Sequence, residues 1–294
     1  MANLIPRLES IQNAQNSKLS TNAEDDQSTN KAPQSSVTFI YEAKIADLIR
    51  NVTVTWSKNV GNYSLVISVE NPSSENPYTF KLDIKAWQFW GKKGLKSFDV
   101  DTKRVDVYWD LRQAKFSSSP VPSSDYYVAV VDGDEVSVVL GDMKTDAYKR
   151  TKKHPPADEP VLLCKKENVH GKKLFCTKTM WQHNEKEHDL TIETSLSGLG
   201  DPEMWISIDG FEVVHIMNLQ WRFRGNENLT VNDVPVQIFW DVHDWLFNGT
   251  GTGQGLFVFS PGNKPSKADD NNSSPDQRQS PAEFFHVIYA WKFE

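Results

Sequence analysis

Asp241, His243 and Asp244 fall together in the segment WDVHDW. An imidazole among carboxylates has the donor types for a divalent metal and for general acid–base work. Either chemistry would need a second ring, and His183, His188 and His215 are the candidates to supply it. A sister segment, WDLRQA, carries Arg112 where the first has His243. A site present in one copy is what a specialised duplicate would carry, and drift at a surface position leaves the same pattern. His183 and His188 bracket the segment HNEKEH with a spacing of five. The zinc-protease motif needs the helical spacing of four, so this segment reads as a solvated hairpin tip between two strands. Cys164 and Cys176 lie equally far from a turn near His170-Gly171 and could face each other across a hairpin. Two cysteines imply no disulfide framework, and reduced, partly buried thiols are the favoured state. No metal and no cofactor is expected.

A second chemical feature is charge. Residues 144–178 hold ten Lys and Arg against four Asp and Glu, in a chain of net charge −7. Lys149, Arg150, Lys152, Lys153, Lys165, Lys166, Lys172 and Lys173 make up its clusters KRTKKH, CKK and GKK. They could serve an anionic partner such as phosphate, an acidic protein or a lipid headgroup. They could also be a solvated helix face and hairpin edges, where Lys discourages strand pairing. The acidic balance argues against a dedicated nucleic-acid binder, and no RNA-recognition motif or zinc knuckle accompanies the patch. The sequence has no Gly-rich phosphate loop, no Gly-x-Ser-x-Gly elbow and no Cys-x-x-Cys pair.

The elements that must position these residues are strands. At 294 residues the chain can bury a large core, and its 38% hydrophobic content is near the globular norm. SVTFIYEAK, NVTVTWSK, YSLVISVE, YTFKLDIKAWQFW, RVDVYWD, DYYVAVVD and EVSVVLGD have strand length and partial alternation. Asp132-Gly133 and Asp209-Gly210 each separate two such runs, which is a hairpin signal. Residues 142–152 form the one credible helix. Residues 1–36 and 260–283 are polar and poor in aromatics, and read as a disordered tail and a disordered loop. The N-terminus MANLIPRLES is too short an apolar run for a signal peptide. No run of about 18 apolar residues is present, so no membrane span is expected. An intracellular location, cytoplasmic and/or nuclear, follows as the expectation. The sequons at Asn51, Asn62, Asn228 and Asn248 would then stay unglycosylated.

The two halves of the chain echo each other. VDVYWDLRQAKF at 105–116 matches VQIFWDVHDWLF at 236–247. WQFWG (87–91) matches WRFRG (221–225), and Trp56 with Leu65 matches Trp181 with Leu190. Three Trp pairs in one order, 56/181, 87/221 and 109/240, argue for an internal duplication. Strand alternation puts Val105, Val107 and Trp109 on one face, and Val236, Ile238 and Trp240 on one face. Each Trp then plugs a core. Asp110 and Asp241 stand at strand ends, where a carboxylate can accept from the amides of the following turn. In the Trp-x-Phe-x-Gly element, Trp87 with Phe89, and Trp221 with Phe223, are expected to be buried on one side. Gly91 and Gly225 would then allow a bend.

VTVTWSKN, KAWQFWGKKG, VDVYWDLRQAKF, YYVAVV, VVLGDMKTDAYK, LQWRFRGNENLTV, FWDVHDWLF and the terminal YAWKFE resemble the plant-specific DUF868 family from about residue 37 onward. The resemblance implies a plant protein. It carries over neither an activity nor any functional residue.

The expected architecture is all-β, with two similar antiparallel, sandwich-like units at 37–150 and 151–294, packed as one body. A single large barrel or sandwich is the alternative. The expected function is a non-enzymatic binding or scaffold protein whose basic patch meets an anionic or protein partner. The alternative is an enzyme, or a small-molecule or sugar-binding protein, with its site near His243 and Asp244.

Overall fold

Strand formation follows from alternation of β-branched and aromatic residues. In β2 (Leu48–Asn59) Val52, Val54 and Trp56 are buried, and Thr53 and Thr55 between them are half-buried. The same alternation recurs in β6 (Lys103–Asp110), β11 (His188–Ser195), β12 (Glu203–Ile208) and β15 (Val234–Asp241). Tight turns close the hairpins. Ala46-Asp47, Asp209-Gly210 and Asn232-Asp233 have positive φ at both positions, the geometry whose twist matches the flanking strands.

In this computed structural model the described residues are 35–59, 61–85, 91–181, 187–196, 200–248, 253–262 and 284–292. All belong to one compact unit, Pro33–Glu294. The remaining strands are β1 (Ser35–Ile45), β3 (Asn62–Val69), β4 (Tyr78–Lys85), β5 (Lys93–Val100), β7 (Tyr127–Asp132), β8 (Glu135–Leu140), β9 (Val161–Gly171), β10 (Leu174–Thr179), β13 (Phe211–Ile216), β14 (Arg224–Val231), β16 (Gln254–Pro261) and β17 (Phe285–Lys292). Two helices are described, α1 (Lys144–Thr151) and α2 (His243–Phe247). The fold is all-β, and α1 is the short helix expected over 142–152.

The strands form three sheets. One has nine strands in the order β14-β15-β16-β17-β9-β1-β2-β3-β4; the others are β5-β6-β7-β8 and β10-β11-β12-β13. Residues directly opposite in a ladder share a face. One row therefore crosses the long sheet as Ile238, Phe259, His286, Lys165, Phe39, Val54, Ile67 and Phe80. Ile238 and Phe259 belong to a core completed by β10–β13. Val54, Ile67 and Phe80 belong to a second core completed by β5–β8. Both small sheets thus cover the same face of the long one, and the polar pair His286 and Lys165 stands between the two cores. Helix α1 covers the far side of β7 and β8, where Ala147 packs with Tyr127, Ala129, Val131 and Val136.

Several expectations change. Ser35 and Ser36 begin β1, and Ser260 and Pro261 end β16; the rest of the proposed tail 1–36 and nearly all of the loop 260–283 lie outside the described residues. Trp87, Phe89 and His183 also lie outside them. His188 is no solvated tip: it is buried at the start of β11. Cys164 and Cys176 are both free, the first buried and the second exposed. They do not face each other, because β9 and β10 enter different sheets. Trp56 pairs with Leu65 inside the β2–β3 ladder, whereas Trp181 follows the last paired residue of β10. These two Trp are alike in burial and unlike in position.

Candidate functional site

The sequence pair VDVYWD and VQIFWD builds the same object twice. In the β5–β6 hairpin Gly94 faces Trp109, and in β14–β15 Gly225 faces Trp240. A Cβ on either glycine would lie 2.4 Å from the indole, so only glycine lets the ring lie flat across the neighbouring strand. Trp109 Nε1 donates to Gly91 O at 2.7 Å, and Trp240 Nε1 donates to Arg222 O at 2.9 Å. Leu111 N reaches Lys92 O at 2.6 Å, and Val242 N reaches Phe223 O at 2.8 Å. The structural counterpart of Gly225 is therefore Gly94, and Gly91 corresponds to Arg222. The WQFWG and WRFRG alignment is displaced by three positions. Gly225→Val is expected to cost about 1–3 kcal/mol through overpacking against Trp240, read as a lower denaturation midpoint.

The aspartates behave as turn locks. Arg112 N donates to Asp110 Oδ1 at 3.3 Å and His243 N donates to Asp241 Oδ1 at 3.2 Å. Asp110 also pairs with Lys93 at 3.0 Å and with Arg112 at 2.8 Å. Partial burial works to raise its pKa, but the bonds from Arg112 and Lys93 outweigh this and hold it down at about 2. Asp241 pairs with Arg224 at 2.7 Å.

Beyond the lock the halves diverge. The second half enters α2, whose Trp245 turns inward, donates to Ala290 O at 3.0 Å and stacks on Phe175. His243 and Phe247 turn outward and form a ring cluster with Phe223, at 5.4 Å for Phe223–His243, 5.7 Å for Phe223–Phe247 and 4.9 Å for His243–Phe247. Arg224 lies over Phe223. Trp221, two residues before Phe223, was expected in a core and is instead 83% exposed; Phe247 is 52% exposed. The chain at 222–223 is tied to Trp240 and Val242 through its carbonyls, which leaves the Trp221 side chain free to project.

His243 and Asp244 do pair, at 3.2 Å, with side chains 51% and 58% exposed. His188 bonds Asp209 and His215 bonds Glu203, each through its own hairpin. Among the described residues no group of three His, Cys, Asp or Glu side chains could hold a metal ion.

The eight basic residues do not share one surface. Lys165 lies among buried groups, 2.6 Å from Glu167 and 2.5 Å from Lys178 O. Lys166 is the next residue of the strand, so it faces the other side of the sheet and lies over the Tyr289 ring. Lys153 pairs with Asp134 at 2.7 Å. Lys149 and Arg150 sit in the last turn of α1, Lys152 caps it, and Lys172 and Lys173 form the turn between β9 and β10.

One polar cluster had no counterpart in the motif reading. Glu167 is buried and accepts from Lys165, from His286 Nε2 at 3.0 Å, and from Thr177 Oγ1 at 2.6 Å. Burial works to raise its pKa, and the Lys165 charge with the His286 bond overrides this to about 2. Burial lowers the pKa of His286 in spite of its bond to Glu167. The single signal for this cluster in the sequence is a polar residue inside an apolar strand, His286 in FFHVIYAW.

A plant protein family of unknown function, DUF868, matches residues 32–292. No curated protein and no solved structure matches the chain. Among the described residues no helix is long and apolar enough to cross a membrane.

Proposed function

We propose, for a chain that belongs to the plant family DUF868, a non-enzymatic binding role in which the β body is a scaffold that docks a protein partner around Trp221. The observation that supports it is the exposure of that indole, two residues before Phe223, whose ring packs on the exposed Phe247 with Arg224 over it. Trp is ordinarily among the more buried residues. Trp and Arg together are the composition of interface hot spots, and fixed backbone beneath them lowers the entropy lost on docking. The halves are read as products of an internal duplication, supported by the repeated Gly, Trp and Asp contacts, with the docking surface developed in the second. The proposed location is the cytoplasm and/or the nucleus.

A second reading keeps the basic residues. Lys149, Arg150, Lys152, Lys172 and Lys173 are exposed and would suit an anionic partner. An enzyme centred on His243 and Asp244 has less support, because both side chains are more than half exposed, whereas catalytic groups ordinarily line a concave pocket.

Affinity purification from plant tissue with the intact chain as bait separates these readings. Trp221→Ala is expected to lose a partner that the native chain retains, with stability changed by no more than about 0.5 kcal/mol. Joint reversal of Lys149, Lys152, Lys172 and Lys173 to Glu should leave that partner bound. Loss on charge reversal alone would transfer the site to the basic surface. An unchanged set of partners in both variants would remove both surfaces.

A further inference from the structure

The two Trp-Asp hairpins share a second feature, on the face opposite the indoles. In the first half Tyr108, Ala129 and Val139 lie directly opposite one another across β6, β7 and β8. In the second half Phe239, Val258 and Val287 hold the same places across β15, β16 and β17. Each row begins on the residue before the paired Trp. Tyr127, opposite Asp110, corresponds to Leu256, opposite Asp241. The correspondence is one of register and needs no common origin.

A helix covers the first row. Ala147 of α1 packs with Tyr127 and Ala129, and Tyr108, Val139, Met143 and Tyr148 close round them. The second row is as apolar. Val258 and Val287 are buried, and Phe239, Leu256 and the adjoining Tyr289 are half-buried. Among the described residues these five belong to none of the apolar clusters. An apolar sheet face is stable only when another element packs on it. Helix α1 shows what fits this register: a helix that brings a small residue against the row.

The surroundings set the charge of the occupant. Helix α1 carries Lys144, Lys149 and Arg150 against Asp146, and Lys153 just beyond it pairs with Asp134 at 2.7 Å. Asp106 shares the covered face of β6 with Tyr108. In the second half Gln237 stands at the place of Asp106. The row there runs on from Val287 to Lys166, whose ammonium lies over the Tyr289 ring at 4.7 Å. Burial lowers the pKa of Lys166, and a carboxylate delivered on docking would favour its charged form.

We propose that the face of β15–β17 turned away from the small sheets docks an amphipathic helix of a partner protein, small and apolar against Val258 and Val287 and acidic against Lys166. This is recognition of a helix by its apolar face, with charge fixing its direction. The surface uses none of the residues assigned to the Trp221 site, so either role can fail alone.

The test places a photo-reactive benzophenone side chain at position 239 of the full chain and irradiates it in plant extract. The expected adduct joins it to another protein. Its attached peptide, sequenced by mass spectrometry, should show small and apolar residues at helical spacing, flanked by Asp or Glu. A synthetic copy of that peptide should bind the purified native chain. Lys166→Glu should bind it about tenfold more weakly or worse. Lys166→Met keeps the packed stem without the charge, and should also weaken binding. Trp221→Ala should bind the peptide as the native chain does. An adduct within this chain, or between two copies of it, would identify a different occupant and overturn the proposal. No adduct, or a peptide without that periodicity, would overturn it as well. Equal binding by both Lys166 variants would sink the acidic helix.

Discussion

Glu167→Ala is expected to lower the unfolding free energy by about 3–5 kcal/mol, as removing one member of a buried ion pair does. The carboxylate is the shared acceptor for Lys165, His286 and Thr177. Without it the Lys165 ammonium stays between two apolar cores with no counter-charge. An exposed pair provides the contrast. Lys153→Ala, which breaks the contact with Asp134, should change stability by less than about 1 kcal/mol. Urea titration of both variants reads the difference, and equal effects would mean that the seam is not specially desolvated. Replacing Lys165, Glu167 and His286 together by Met, Leu and Phe should be far less harmful than Glu167→Ala alone. That outcome would identify the cluster as a device for register. A slip of β9 by one residue would put Lys165 and Glu167 on the opposite face of the sheet.

The same cluster sets a pH dependence. The pKa of Glu167 is depressed to about 2, so its contribution is complete above the ordinary carboxylate value near 4.3 and is lost as pH falls through the folded value. His286 is also depressed, by burial. The unfolded ring takes up its proton near the ordinary value of about 6.5 while the folded ring does not, so stability begins to fall below that pH. His286→Leu should flatten the upper part of the stability curve and leave the fall at lower pH in place.

Trp240→Ala is the second large effect, about 3–5 kcal/mol for emptying a fully packed indole site. Its reach is greater than its area. The indole N–H holds the carbonyl of Arg222, the residue between the exposed Trp221 and Phe223 of the ring cluster. The variant should therefore lose the docking partner as well as stability. Trp221→Ala should lose only the partner. Trp109→Ala, in the other half, should lose stability and keep the partner. Calorimetry paired with binding to the purified partner tests all three, and a partner retained by Trp240→Ala at a temperature where it remains folded would separate the surface from the Trp240 contact.

The legible part of the fold was local. Alternation in RVDVYWD predicted which side chains of β6 turn inward, because a strand has a strict period of two. Asp209-Gly210 predicted its hairpin because few residues tolerate positive φ in succession. The Trp-Asp pairs were legible as a core plug and a turn lock, since an aspartate two residues before an amide can reach it without help from elsewhere. Trp221 was misread because its burial depends on where the chain goes after β13. The equal spacing of Trp56 and Trp181 from later leucines concealed different ladders.

Sequence alone determined the β character, the hairpins, the short helix and the paired Trp-Asp turns, because each depends on residues a few positions apart. Tertiary structure decided that one nine-stranded sheet runs through both halves, that β9 lies parallel to β17, and that the small sheets share a face. It also decided the fate of the basic residues, placing Lys165 beside a glutamate inside and leaving others in solvent. Glu167 and His286 meet across 119 positions of chain. No local periodicity records such a contact, because it exists only once distant strands have been brought into register.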